Sequence, residues 1–150
     1  MGFAALITWL AAVLAGLYMF AVWLIENDVT DRNPAASQLR PLVIFTHLLL
    51  ALTGLVVWGA YLLLDYEPLA WAALALLTAI ALLGLTMFAK WIRVHHDPAP
   101  LTSGAQQPGQ AAVTIPAKGI FPVAMVAAHG LLGGSTLLLV LLTAIGIGGS

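Results

Sequence analysis

Two histidines carry the chemistry this sequence could support. From Phe121 to Thr136 the chain reads Phe-Pro-Val-Ala-Met-Val-Ala-Ala-His-Gly-Leu-Leu-Gly-Gly-Ser-Thr, with His129 at its centre. From Pro41 to Thr53 it reads Pro-Leu-Val-Ile-Phe-Thr-His-Leu-Leu-Leu-Ala-Leu-Thr, with His47 in the matching place. In both stretches a proline precedes an apolar turn or two, then one imidazole, a leucine pair or triplet, a small residue and a hydroxyl. Neither stretch holds any other ionisable group. An imidazole inside such a run needs partners for its N–H and its lone pair, so it faces the interior of a helix bundle and not lipid.

Two chemistries follow. Small residues lie one turn beyond each ring: Ala51 and Gly54 after His47, Gly133 and Thr136 after His129. They leave room for a flat macrocycle, so a b-type haem held by His47 and His129 is one reading. The other is close helix packing, with each imidazole bonded to a neighbouring carbonyl or hydroxyl. Gly130 and Gly134 form a small-xxx-small pair that suits such packing. Helix contact asks for the same small residues, so packing is the expectation and haem the alternative. His95-His96-Asp97 could form a weak metal site or a propionate partner, but imidazoles at a helix C-terminus also suit the helix dipole.

What must position these residues is a membrane bundle. The chain has 150 residues, of which 62% are hydrophobic and only 7% charged. Ordinary soluble domains carry about 25% charged residues, so this surface is not made for water. A net charge of −1 argues against nucleic acid as a partner. The absence of cysteine excludes disulfides, thiolate metal sites and thiol nucleophiles. Four apolar runs reach the roughly 20 residues that span a bilayer: about Phe3–Ile25, Leu42–Leu64, Leu69–Trp91 and Ile120–Ile147. The first has no basic leader and no clear cleavage site, so it reads as a retained helix. The expectation is an all-α membrane protein, one four-helix transmembrane domain over residues 1–150.

All five Lys and Arg residues (Arg32, Arg40, Lys90, Arg93, Lys118) flank the first and third connections. By the positive-inside rule, loops 26–41 and 92–119 face the cytoplasm of a bacterial plasma membrane and both termini lie outside. The Asp65-Tyr66-Glu67-Pro68 connection is tight and makes its flanking helices antiparallel neighbours. The 97–118 segment, rich in Pro and Gln and uncharged between Asp97 and Lys118, has no means of burying a core alone. Glu26 ends the first span where the dipole disfavours a carboxylate, and Lys90 or Arg93 on the third span could offset it.

The spans also echo one another. Gly16-Leu-Tyr-Met-Phe-Ala-Val-Trp-Leu-Ile25 aligns with Gly84-Leu-Thr-Met-Phe-Ala-Lys-Trp-Ile-Arg93. Leu and Ala matches are cheap in this composition. Gly, Met, Phe and Trp in one register are not, because the chain holds only four Met, five Phe and five Trp. The chain reads as a duplicated antiparallel hairpin, repeat 1 over about 3–64 and repeat 2 over about 69–147. Two spans per unit insert the same way up, related by a parallel pseudo-twofold along the membrane normal. That symmetry sets His47 and His129 at one depth, towards the cytoplasmic side. Trp9, Trp58, Tyr61, Tyr66 and Trp71 read as an outer interfacial belt, Trp23 and Trp91 as an inner one.

All six carboxylates lie at helix ends or in loops. The midplane ionisable groups of coupled carriers are therefore missing, as are metalloprotease, nucleophile-elbow and phosphate-loop motifs. The sequence thus reads as a non-catalytic accessory or structural subunit of a larger bacterial membrane complex, possessing no cofactor, or as a homo-oligomer. Its partners would be other membrane subunits and lipid. The alternative is a haem-b electron-transfer protein with bis-His ligation by His47 and His129, serving quinol or a respiratory partner.

Overall fold

A computed structural model describes residues 1–26, 41–96 and 123–147, and these form four helices. They are α1 (Gly2–Glu26), α2 (Pro41–Leu64), α3 (Glu67–His96) and α4 (Val123–Ala144). All four are long and apolar enough to cross a membrane. This is an all-helical integral membrane bundle. The third helix runs further than its apolar run suggests, to His96, because nothing in Lys90–His96 breaks a helix.

The helix ends follow local chemistry. Pro41 opens α2 at the position where its missing N–H costs nothing. Asp65 ends α2 in the left-handed region (φ 48°), a conformation that aspartate tolerates better than most residues. The Asp65 N–H donates to the Tyr61 carbonyl at 2.9 Å. At the end of α4, Gly146 takes φ 80°. The Ile147 N–H reaches the Leu142 carbonyl at 2.8 Å and the Gly146 N–H the Thr143 carbonyl at 3.0 Å. Those two bonds close a Schellman cap that satisfies carbonyls the helix would otherwise leave bare.

Each helix is apolar nearly all round, as expected for helices surrounded by lipid tails. Phe3, Ile7, Leu14, Leu49, Val56, Leu63 and Leu131 all point outwards. Packing runs in a ring: α1 lies on α4 and α2 on α3 most extensively, with thinner α1–α2 and α3–α4 seams, and among the described residues the backbones of the diagonal pairs stay apart. The dense core fills the half of the bundle where α1 starts and α2 ends. Ala5, Trp9, Trp58, Ala70, Ala73, Leu77, Val140 and Ala144 meet there.

Two tryptophans expected in the outer belt are instead core residues. Trp9 is 2% exposed and Trp58 is 0% exposed. Trp58 can be buried because its indole N–H donates to the Gly2 carbonyl at 3.2 Å, one of the first-turn groups of α1. Trp9 can be buried because Gly54 offers a flat surface: a Cβ there would sit 2.7 Å from the Trp9 ring. Trp23, expected in the inner belt, is also buried, whereas Tyr66 and Trp71 are exposed as a belt requires. Thr136, 1% exposed, links α4 to α1: its one O–H lies within reach of both the Thr8 hydroxyl at 3.0 Å and the Leu132 carbonyl of its own helix at 2.8 Å.

Candidate functional site

His47 and His129 come from α2 and α4, diagonal helices whose backbones do not approach one another closely among the described residues. Both rings reach into the space between them. Their centroids are 6.3 Å apart, with the ring planes at 55°. The imidazoles are half-buried and line one shared cavity. The two residues singled out by spacing are therefore brought together, and neither faces lipid.

Each ring is backed by a glycine of the helix packed against it. Gly16 on α1 stands behind His129, where a Cβ would lie 3.1 Å from Cε1. Gly84 on α3 stands behind His47, where a Cβ would lie 3.2 Å from Cε1. Hydrogen bonding fixes the His129 ring further. Its Nδ1 meets the Ala12 carbonyl at 3.0 Å. A carbonyl only accepts, so Nδ1 carries the proton and Nε2 keeps a lone pair. This is the state in which an imidazole ligates a metal, with the far N–H held by a backbone oxygen.

At His47 the backbone of Ile80, on α3, is the corresponding partner, in a contact too loose for strict hydrogen-bond geometry at Nδ1.

The cavity occupies about 770 Å³ around the two histidines and borders the core at Trp9 and Leu77. Its walls are apolar and aromatic, and they contain matched positions of α1 and α3: Met19 with Met87, Phe20 with Phe88, Trp23 with Trp91. Phe20 stacks on Trp23 at 6.1 Å and Phe88 on Trp91 at 5.8 Å. On α4 the wall includes Gly130, Gly133 and Gly134. A Cβ at any of these three would meet nothing within 4 Å.

That last observation separates two roles for the small residues. Gly54 serves close packing, against Trp9. The Gly130 and Gly134 pair, expected to suit a helix contact, makes none among the described residues and borders open volume instead.

Composition and spacing pointed to the histidines but not to Gly16, Gly84, Ala12 or the Phe–Trp pairs as parts of one site. The signal was present in the Gly-Met-Phe-Trp register shared by α1 and α3, which served only to suggest duplication. The side chains of Glu26, His95 and His96 fall outside the described residues, as do Asp97 and the Pro- and Gln-rich segment. Among the described residues, no group of three or more His, Asp or Glu side chains gathers as a metal site. The chain matches no family model, no curated protein and no solved structure.

Proposed function

We propose that the protein is a b-type haem carrier that moves single electrons within the membrane, with His47 and His129 as axial ligands. The observation that carries this reading is the convergence of two imidazoles across an apolar cavity. His47 and His129 would hold the iron between them, each through one ring nitrogen, and their ring centres stand 6.3 Å apart. Two imidazoles supply too few ligands for a free ion, which takes four or more. They suit an iron that arrives with four in-plane nitrogens of its own.

The surroundings support the same reading. A cavity of about 770 Å³ falls within the range of about 300–1,000 Å³ typical of ligand sites. Its apolar, aromatic lining suits a flat hydrophobic group. The open glycine face of α4 keeps space that packing alone would have filled. The Ala12 carbonyl holds the His129 ring in the ligating tautomer.

In this reading the accessory-subunit expectation becomes a redox role inside such an assembly, or inside a homo-oligomer of the chain. The chain itself makes and breaks no covalent bond of a substrate. It holds the ligands, excludes water and sets the path to a donor such as quinol or a respiratory partner.

The duplicated hairpin belongs to the same proposal. Its support is the pairing of Gly16 behind His129 with Gly84 behind His47, and of the two stacked Phe–Trp pairs. We propose the topology that basic residues dictate, with both termini outside and loops 26–41 and 92–119 in the cytoplasm.

The decisive experiment is a visible spectrum of the protein purified from a haem-replete host. The expected result is a sharp, low-spin reduced haem-b spectrum that changes to a five-coordinate form, or is lost, in His47→Ala and His129→Ala. A colourless protein that takes up no added haemin would end the haem reading. Spectra identical in wild type and both variants would remove these histidines from it.

A further inference from the structure

The cavity around the two imidazoles is not closed equally on all sides. No wall residue on α1 or α2 is exposed on the outside of the bundle. The wall residues that are exposed form two stripes, Ala81, Leu85 and Phe88 on α3 and Ala127, Gly130, Leu131 and Gly134 on α4. Spacings of three, four and seven residues put each set on one face of its helix. A residue that both lines the cavity and meets the surroundings stands at its mouth, so the mouth lies in the α3–α4 seam. At 1.5 Å per residue, each seven-residue stripe makes it about 10 Å tall. It is level with the site: the α4 stripe brackets His129, and the α3 stripe brackets Gly84, which backs His47.

The α1–α2 seam shows what keeps the other one open. Counting from each histidine, Phe45, Leu48 and Leu52 on α2 stand where α4 has Ala127, Gly130 and Gly134. Phe45 meets Phe20 of α1 edge to face, with ring centres 5.3 Å apart, and so fills the α1–α2 seam. Phe88 holds the place of Phe20 in the register shared by α1 and α3, but Ala127 has no ring to offer it. A Cβ on Gly130 or Gly134 would meet nothing within 4 Å. The rim residues are all apolar, and both stripes lie within membrane-spanning stretches. The mouth therefore opens on acyl chains and not on water.

Resting on the haem reading for the identity of its ligand, we propose that this seam is a portal: the cavity takes a flat, lipid-soluble ligand sideways from the bilayer, between α3 and α4. A strongly hydrated solute would have to shed its water to pass an apolar rim. A flat macrocycle can enter by its hydrocarbon edge. The unequal seams make entry one-sided, past Ala127 and Gly130 to the space between His47 and His129.

The test alters the seams and leaves the histidines alone. Ala127→Phe copies Phe45 into the open seam, and Gly130→Leu copies Leu48 should the first variant fail to fold. Phe45→Ala unplugs the closed seam at a residue that does not line the cavity. Leu14→Ala, exposed on α1 and outside the cavity, is the control. Each protein is checked for helicity by circular dichroism. In lipid nanodiscs, haemin uptake and haemin loss to excess apomyoglobin are timed by absorbance. Ala127→Phe should slow both by about 10-fold or more, within the range over which rates at one site vary. Its affinity should stay near wild type, because both rates fall together. Phe45→Ala should speed both, and Leu14→Ala neither. A second readout needs no haem. Haem-free protein is placed in vesicles of lipid brominated on the acyl chain, where bromine quenches nearby indoles. Trp9, Trp23 and Trp91, three of the five tryptophans, line the cavity, so chains entering the portal quench them. Ala127→Phe should lower that quenching and Phe45→Ala raise it.

Unchanged haemin rates in Ala127→Phe, or affinity lost with the uptake rate kept, would place entry at the loop end of the cavity and overturn the portal while the haem reading stands. Equal quenching in all four proteins would overturn it too, as when a second copy of the chain covers the α3–α4 face. A wild type that takes up no haemin, with quenching that follows the seam variants, would end the haem reading and keep the portal for another lipid-soluble ligand.

Discussion

Gly54→Ala puts the bundle's packing to a quantitative test. The new methyl would lie 2.7 Å from Trp9 Cζ2, 3.0 Å from Cη2 and 3.6 Å from the Leu76 Cβ. Comfortable carbon–carbon contact is about 3.5–4.0 Å, so the indole or one of the helices must move by roughly 1 Å. Trp9 is 2% exposed and packed within the Trp58 cluster, so it has no vacant rotamer to take. Overpacking of this sort costs about 1–3 kcal/mol. Alanine's helix preference over glycine returns up to about 1 kcal/mol, which would blur the result if Gly54→Ala stood alone. Gly130→Ala supplies the reference, because a Cβ there meets nothing within 4 Å and gains the same preference. The difference between the two variants is therefore the overpacking term itself, about 1–3 kcal/mol. Equilibrium unfolding of the haem-free protein in mixed micelles of rising SDS fraction, followed by far-ultraviolet circular dichroism, measures it. If Gly54→Ala proves as stable as Gly130→Ala, the Trp9–Gly54 contact does not hold α1 against α2.

Trp58→Phe removes the 3.2 Å hydrogen bond from the α2 indole to the Gly2 carbonyl at the start of α1; a loss of about 1–3 kcal/mol is expected in the same unfolding assay. Thr136→Val breaks the 3.0 Å Thr8 bond and should cost only about 0.6 kcal/mol, so a loss as large as that for Trp58→Phe would contradict the membrane-helix scale. Gly16→Val forces a side chain into the space 3.1 Å from His129 Cε1 and is expected to weaken haemin binding, read by titration, while Gly59→Ala, outside the cavity and with nothing within 4 Å of its Cβ, leaves it near wild type. For topology, a cysteine at Gln106 should resist an impermeant thiol reagent in intact cells and one at Ser150 should react; the reverse pattern would invert the bundle.

Several features were legible without coordinates. Four spans follow from run length alone, since a helix must keep its backbone bonds internal to cross lipid. The tight Asp65–Pro68 turn makes α2 and α3 neighbours because so few residues cannot reach further. His47 and His129 stood out because an ionisable group in a lipid-embedded helix demands an interior partner. All of these are local constraints, felt residue by residue along the chain.

What needed the tertiary structure was everything decided by rotation of one helix against another. A helix that is apolar all round gives no stripe from which to read its inward face, so nothing in α1 announced that Trp9 and Trp23 point in while Ile7 and Leu14 point out. Belt and core ask the same thing of a tryptophan in sequence, an apolar ring with one satisfied N–H. Only the arrival of the Gly2 carbonyl at Trp58 and of Gly54 at Trp9 decided for the core. The same ambiguity covered the glycines, because close contact and open space both call for a missing side chain. Gly54 met a ring and Gly130 met none, and that difference is a distance between helices far apart in the chain. The anchoring of His129 is of this kind too: it depends on which carbonyl of a neighbouring helix comes within 3.0 Å, which no spacing along one helix can encode.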